Sequence, residues 1–231
     1  IAGAGGGAGS KTLTSPPAAL ADGTLSITAG FIDLENQFSL ANFDQASFTT
    51  TGDIRLSSTI TATVTTNTFF PGELYTPGNL TFTAADLYPA SGESFILDAS
   101  GPQATTITFQ SNGTSSVPLS AGGSLLVDAT NIIQAGTIRA PSGTIVLGVG
   151  DKTNSATQTE FASLPLTNAQ SVTLASGSTT SVSLDGSSIP YGSTTDGLDW
   201  QYNAVATDTT PVDLSAPPAK VINLNGANVT L

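Results

Sequence analysis

Residues 123–148, GSLLVDATNIIQAGTIRAPSGTIVLG, set Leu125 and Val127, then Ile138 and Ala140, then Ile145 and Leu147 two residues apart, with glycine or small residues between the pairs. Alternation at period two is the pattern of a strand with one buried side. Strands this short, punctuated this often, describe the rungs of a β-solenoid, a chain coiled so that each turn stacks on the one before. Working outward, similar units recur at 23–34 (GTLSITAGFIDL), 52–58 (GDIRLSS), 78–87 (GNLTFTAADL), 171–186 (SVTLASGSTTSVSLDG) and 220–231 (KVINLNGANVTL). So loose a repeat specifies architecture before it specifies chemistry.

Composition agrees. The 231 residues include 24 Gly and 13 Pro but only 10% charged residues, which favours strands and turns and predicts almost no α-helix. Hydrophobic residues make up 39% of the chain. That suffices for a continuous core if each rung buries its inward side chains against the rungs above and below, so stability is spread along the stack.

The formal charge is −12, and the five basic residues, Lys11, Arg55, Arg139, Lys152 and Lys220, are scattered. No basic surface exists to displace counterions from a phosphate backbone or to hold an anionic membrane, so nucleic acid is excluded as a partner. Cysteine is absent, which removes disulfides and thiolate metal sites. No run approaches the roughly 20 apolar residues of a membrane-spanning helix, so no membrane insertion is expected. The opening IAGAGGGAGSKTL does not have the basic and apolar regions of a secretory signal, and from Ile1 in place of Met a processed or excised piece is expected. Rung-like text at both ends predicts that the polypeptide continues or that copies stack end to end.

Residues 1–22 read as an irregular Gly/Pro-rich lead-in, and 23–231 as the solenoid. The pairs Leu25/Ile27, Ile32/Leu34, Phe38/Leu40 and Ile54/Leu56 each fill one wall of a coil, while 41–53 (ANFDQASFTTTGD) is expected to bulge between walls. Excursions are expected near 61–78, where Phe69, Phe70 and Tyr75 sit around two prolines that cannot donate to a ladder, near 151–170, and near 187–219. Residues 79–150 carry the most regular rungs. The offset from Leu125/Val127 to Ile145/Leu147 gives about 20 residues per turn, and about eight to ten rungs would make a rod roughly 40 to 50 Å long.

Residues 123–148, followed by 171–192 (SVTLASGSTTSVSLDGSSIPYG) and 217–231 (PPAKVINLNGANVTL), resemble a segment of the large filamentous-haemagglutinin-type exoproteins of Gram-negative bacteria. The resemblance spans most of 120–231. It implies a right-handed parallel β-helix, export by two-partner secretion through a cognate outer-membrane barrel, and service as an adhesin or as the stalk of a contact-dependent toxin. The family's amino-terminal secretion motifs and terminal toxin domain are not seen in this sequence, so the resemblance is to the shaft.

Histidine is absent, which removes the usual general base and the Ser-His-Asp and Cys-His constellations. Some β-helices cleave polysaccharides with clustered acids, so Asp128, Asp151, Asp185, Asp196, Asp199, Asp208 and Asp213 are the carboxylates that could matter. Tyr191, Asp196, Asp199, Trp200 and Tyr202 form the candidate glycan site, aromatic faces holding a sugar ring while acids bond its hydroxyls. Packing of Trp200 and Tyr202 as pins for the excursion is the favoured alternative. Asp128 and Asp185 lack calcium-loop spacing and read as turn caps. GAGGGAG at 3–9 lacks the strand and helix of a phosphate loop, and the Asn-x-Thr triplets at Asn79, Asn112 and Asn228 are given no function.

The expectation is therefore an all-β chain, a right-handed parallel β-helix with two or three loop or hairpin excursions. It is a non-enzymatic shaft of a secreted or cell-surface exoprotein, without cofactor or metal. Its partners are the secretion barrel during export, a receptor on a host or neighbouring cell, and copies of itself end to end. The alternatives are a carbohydrate-binding or carbohydrate-degrading β-helix and a self-assembling extracellular fibre or surface-layer subunit.

Overall fold

The computed structural model describes residues 22–58, 71–189, 192–194, 197, 200–202, 212–214 and 218–231. The expected lead-in, apart from Asp22, lies outside the described residues. The chain winds as a parallel β-helix. Its first turn is β1 (Gly23–Ala29), β2 (Ile32–Glu35) and β3 (Gln37–Ser39), and the second is β4 (Phe43–Thr50), β5 (Ile54–Ser57) and β6 (Gly72–Tyr75). The third is β7 (Asn79–Ala84), β8 (Leu87–Pro89) and β9 (Ser94–Ala99), and the fourth has only β10 (Thr106–Ser111) and β11 (Ser124–Ala129). The fifth is β12 (Asn131–Ala135), β13 (Thr137–Arg139) and β14 (Thr144–Leu147), followed by a short helix α1 (Ser155–Glu160). The sixth takes β15 (Ser171–Leu174) and β16 (Thr179–Ser181), leaves the stack for the hairpin β17 (Trp200–Tyr202) and β18 (Val212–Leu214), and returns as β19 (Val221–Leu224); β20 (Asn228–Thr230) opens a seventh.

Stacked strands make three faces. The first is the 7-stranded sheet β1-β4-β7-β10-β12-β15-β20, the second the 5-stranded sheet β2-β5-β8-β13-β16, and the third the 6-stranded sheet β3-β6-β9-β11-β14-β19. Among the described residues all stacked pairs are parallel, whereas β17 and β18 pair antiparallel, as do Ser193 and Gln201 in an isolated bridge. Among the described residues the first face holds seven strands, where about eight to ten rungs were expected for the chain.

Inward side chains of every turn merge into one core running from Ile32 to Val172. Burial of each such Leu, Ile or Phe contributes about 1.5–3 kcal/mol. Behind the first face Phe48, Phe82 and Phe109 stack, with ring centroids 5.3 and 5.6 Å apart. The expected offset holds in the ladder: Leu125 lies opposite Ile145 and Val127 opposite Leu147. Corners need small residues. A Cβ on Gly143 would run into the carbonyl oxygen of Gly123 one turn below, and Gly148, at φ +89, would meet that of Asn225.

Three expectations need correction. Residues 41–53 do not loop outward between walls, because β4 lies between β1 and β7, burying Ala46 and Phe48 while Gln45, Ser47 and Thr49 face outward; the irregularity is confined to a one-residue register shift at Asp44. The excursion expected near 61–78 does not extend through β6, which pairs with β3 and β9 and buries Leu74. Pro71 and Pro77 flank that strand, where no ladder donor is required; residues 59–70 lie outside the described residues. The run 79–150 is not uniform either. Its fourth turn has no strand on the second face, so Ile138 of β13 pairs directly with Leu87 of β8, two turns away on the other faces. The displaced loop is clipped to the stack by Asp86, whose fully buried carboxylate accepts from Ser115 Oγ and Ser116 N at 2.9 Å and from Arg139 Nε at 3.1 Å.

Candidate functional site

Alternation along each strand sends every second side chain outward, and the three faces present different chemistry. On the first face, Ser26, Ser47, Thr81 and Thr108 align in one column, and Thr28, Thr49, Thr83 and Gln110 in the next. Beside them Thr24, Gln45, Asn79, Thr106, Asn131, Ser171 and Asn228 follow the start of each strand. Asn79 Oδ1 accepts from Thr106 N at 2.8 Å, and Asn112 Nδ2 donates to Thr50 O at 2.8 Å. Asn228 Nδ2 donates to Gln170 O at 3.4 Å, so the asparagines of all three Asn-x-Thr triplets bond one turn to another.

The second face is charged. Arg55 pairs with Asp33, which also accepts from Ser57 Oγ at 2.9 Å, and Arg139 bridges buried Asp86 to Asp185 at 2.8 Å. Asp185 sits in a turn at φ 47, as expected of a turn residue that tolerates the left-handed region.

The third face carries two outward rows. Glu73, Ile96, Leu126, Val146 and Asn223 form one, and Tyr75, Asp98 and Asp128 the other. The excursion 151–170 lies over it as a strap. Phe161 and Leu166 pack on Ile96, Leu126, Val146 and Val149, a second apolar cluster separate from the core. Asn154 caps α1 by accepting from Ala156 N at 2.9 Å, Lys152 N donates to Asn168 Oδ1 at 2.8 Å across the base of the strap, and Ser100 Oγ donates to Pro165 O at 3.0 Å. Asp151 accepts from Thr153 N at 2.9 Å and from Thr153 Oγ1 at 2.7 Å.

Beneath this strap Asp98 and Asp128 are fully buried side by side on adjacent strands. Asp128 Oδ2 accepts from Thr167 N at 3.0 Å. Among the described residues Asp98 Oδ1 and Oδ2, Glu73 Oε1 and Tyr75 OH make no hydrogen bond of good geometry, and Ser100 opposes the rise of the Asp98 carboxyl only in part. Burial pushes the Glu73 and Asp128 carboxyls up to about 7, and Asp98 is raised well above the ordinary carboxylate range by burial and then by the neighbouring Asp128. Tyr75 rises to about 12, first through burial and then through Asp98 and Glu73. These acids are therefore protonated, or share protons, where exposed carboxylates are ionised. Among the described residues no group of three or more His, Cys, Asp or Glu side chains is placed to hold a metal ion.

The residues singled out from sequence fare unevenly. Tyr191, Asp196, Asp199 and Asp208 lie outside the described residues. The backbone of Trp200 and Tyr202 forms β17, opposite Leu214 and Val212 of β18, with Asp213 opposite Gln201. Asp128 is not a turn cap but a mid-strand acid that receives the strap, because its strand is covered on both sides. Sequence reasoning passed over Glu73 and Asp98 and took Tyr75 only as an aromatic of the 61–78 excursion. A signal existed for Asp98: FILDA at 95–99 and LLVDA at 125–129 place an acid at the same point of two rungs, with apolar residues on either side. No family model, curated protein or solved structure matches the chain.

Proposed function

We propose that the chain is a length of shaft from a secreted, filamentous-haemagglutinin-type surface exoprotein of a Gram-negative bacterium. In that role it serves an adhesin or a contact-dependent toxin stalk, exported through a cognate outer-membrane barrel and presented to a receptor on another cell. The observation that carries this reading is the tolerance of the stack to insertion. Leu147 lies opposite Leu224 and Val172 opposite Val229, although the strap and the β17–β18 excursion intervene in the chain. A frame whose ladders ignore what is inserted between them suits display, since loops on a rigid scaffold vary without disturbing it. The scarcity of basic side chains limits nonspecific adhesion to polyanions.

The test compares the whole chain with a variant in which 192–218 is replaced by a short Gly-Ser connection between β16 and β19. The expected result is an unchanged circular dichroism spectrum and cooperative melt, with binding to host-cell monolayers lost. Collapse of the fold on shortening would overturn the frame, undiminished cell binding would overturn display by that excursion, and turnover of a polysaccharide by the intact chain would replace the shaft with an enzyme.

A further inference from the structure

The first face stands apart from the rest of the surface. In a chain of net charge −12, no outward position of β1, β7, β10, β12, β15 or β20 is Asp, Glu, Lys or Arg, and the one charged residue of these seven strands, Asp44, sits at the register shift near the start of β4, outside the ladder columns. Over four successive turns it presents Ser26/Thr28, Ser47/Thr49, Thr81/Thr83 and Thr108/Gln110 as a two-column array. Ile133 and Ala135 interrupt it on the fifth turn, and Thr173 resumes the first column. The array side chains are exposed or half-buried against one another. Rows repeat every ~4.8 Å between turns and columns every ~6.6 Å along the strands.

We propose that this uncharged hydroxyl array is an ice-binding surface. The interval between turns lies within a few tenths of an ångström of the a-axis repeat of hexagonal ice, so bound water in register with the rungs is already close to lattice order. Threonine suits this task. Its branched Cβ restricts χ1, so methyl and hydroxyl positions are set before binding and little side-chain entropy is lost on contact. A charge would hold water in a radial shell incompatible with the lattice, and the two columns of the array have none. A polysaccharide is the weaker match for the same surface, because the array carries no aromatic ring for a sugar to stack on, and its one amide, Gln110, is bonded to Thr83 Oγ1 at 3.1 Å.

The test uses the whole chain in a nanolitre osmometer, reading thermal hysteresis and crystal habit, with fluorescently labelled protein on a single-crystal ice hemisphere. Faceted growth and labelled ice planes are expected. Thr81→Tyr and Thr108→Tyr, central in the array, should cut hysteresis about tenfold with the melting temperature unchanged, whereas Thr137→Tyr on the second face should leave hysteresis intact. Ice growth like that in an equal concentration of albumin would overturn the proposal, as would equal effects of the three variants. Retention on microcrystalline cellulose without any effect on ice would overturn it in favour of a glycan surface.

Discussion

The first and third faces are built from strands of the same turns, share one core and differ only in what points outward. Behind both, Leu, Ile, Val and Phe fill the interior. In front, the first face offers hydroxyls and amides to solvent, whereas the third buries Ile96, Leu126, Val146, Asp98 and Asp128 beneath the strap. The inward residues of a solenoid therefore specify the stack, while the outward residues of each face decide separately whether it stays open or recruits a cover. The consequence is an asymmetry of energetics. The open face contributes to stability through its backbone ladder and inward side, and the covered face also through groups whose protonation changes near neutrality.

Four substitutions or conditions separate these contributions. The largest effect belongs to the shared core: Phe82→Ala, in the middle of the aromatic stack, should cost about 3–5 kcal/mol by urea denaturation. A loss below about 1 kcal/mol would mean that the turns behind the first face do not unfold with the rest.

Next comes the pH dependence of the third face. Glu73 and Asp128 titrate in the folded state at about 7, against ordinary values of 4.5 and 3.8, and Asp98 is also raised. The folded chain thus holds protons that the unfolded chain has released. The associated stability is fully present below about pH 4 and is lost as pH rises through about 7. At ~1.4 kcal/mol per pKa unit, the span is on the order of a few kcal/mol. Thermal melts from pH 5 to pH 8 should show Tm falling, and Asp98→Asn with Asp128→Asn should flatten the slope while preserving an acceptor for Thr167 N. A slope unchanged in the double variant would assign the dependence elsewhere.

Phe161→Ala should act locally, weakening the strap by about 1.5–3 kcal/mol. Amide exchange should accelerate across 151–170, Thr167 N included, and remain slow in β7 and β10; equal acceleration in both would show that strap and stack open together. Smallest of all, Thr81→Val on the open face should change stability by less than about 0.5 kcal/mol. A larger loss in chemical denaturation would show that the hydroxyl column bonds the turns together.

Much of the stack was legible because its inward residues alternate strictly. Leu125/Val127 and Ile145/Leu147 betrayed their register in sequence, and the ladder pairs them. Residues 41–53 were misread because Asn42, Asp44 and Gln45 look like loop chemistry, although Ala46 and Phe48 keep the alternation that β4 uses. Around β6 the flanking prolines suggested a hairpin, yet both fall outside the paired residues. The missing second-face strand of the fourth turn had no local signal, since the loop that replaces it is held by Asp86 and Arg139 from the third and fifth turns. The candidate site at 191–202 was chosen for its aromatic and acidic types. The most strongly raised acids are instead Glu73, Asp98 and Asp128, which become neighbours only when successive turns stack.

Sequence by itself determined that this chain is all-β, that it coils and which side of its regular strands is buried, because period-two alternation and small corner residues act over distances of a few residues. Only the tertiary structure decided how many strands each face holds, where the turns close up over a missing strand, and that one face is covered while another lies open. Those outcomes depend on residues one or two turns apart in the stack and tens of residues apart in the chain, where parallel register, rather than any local pattern, chooses the partners.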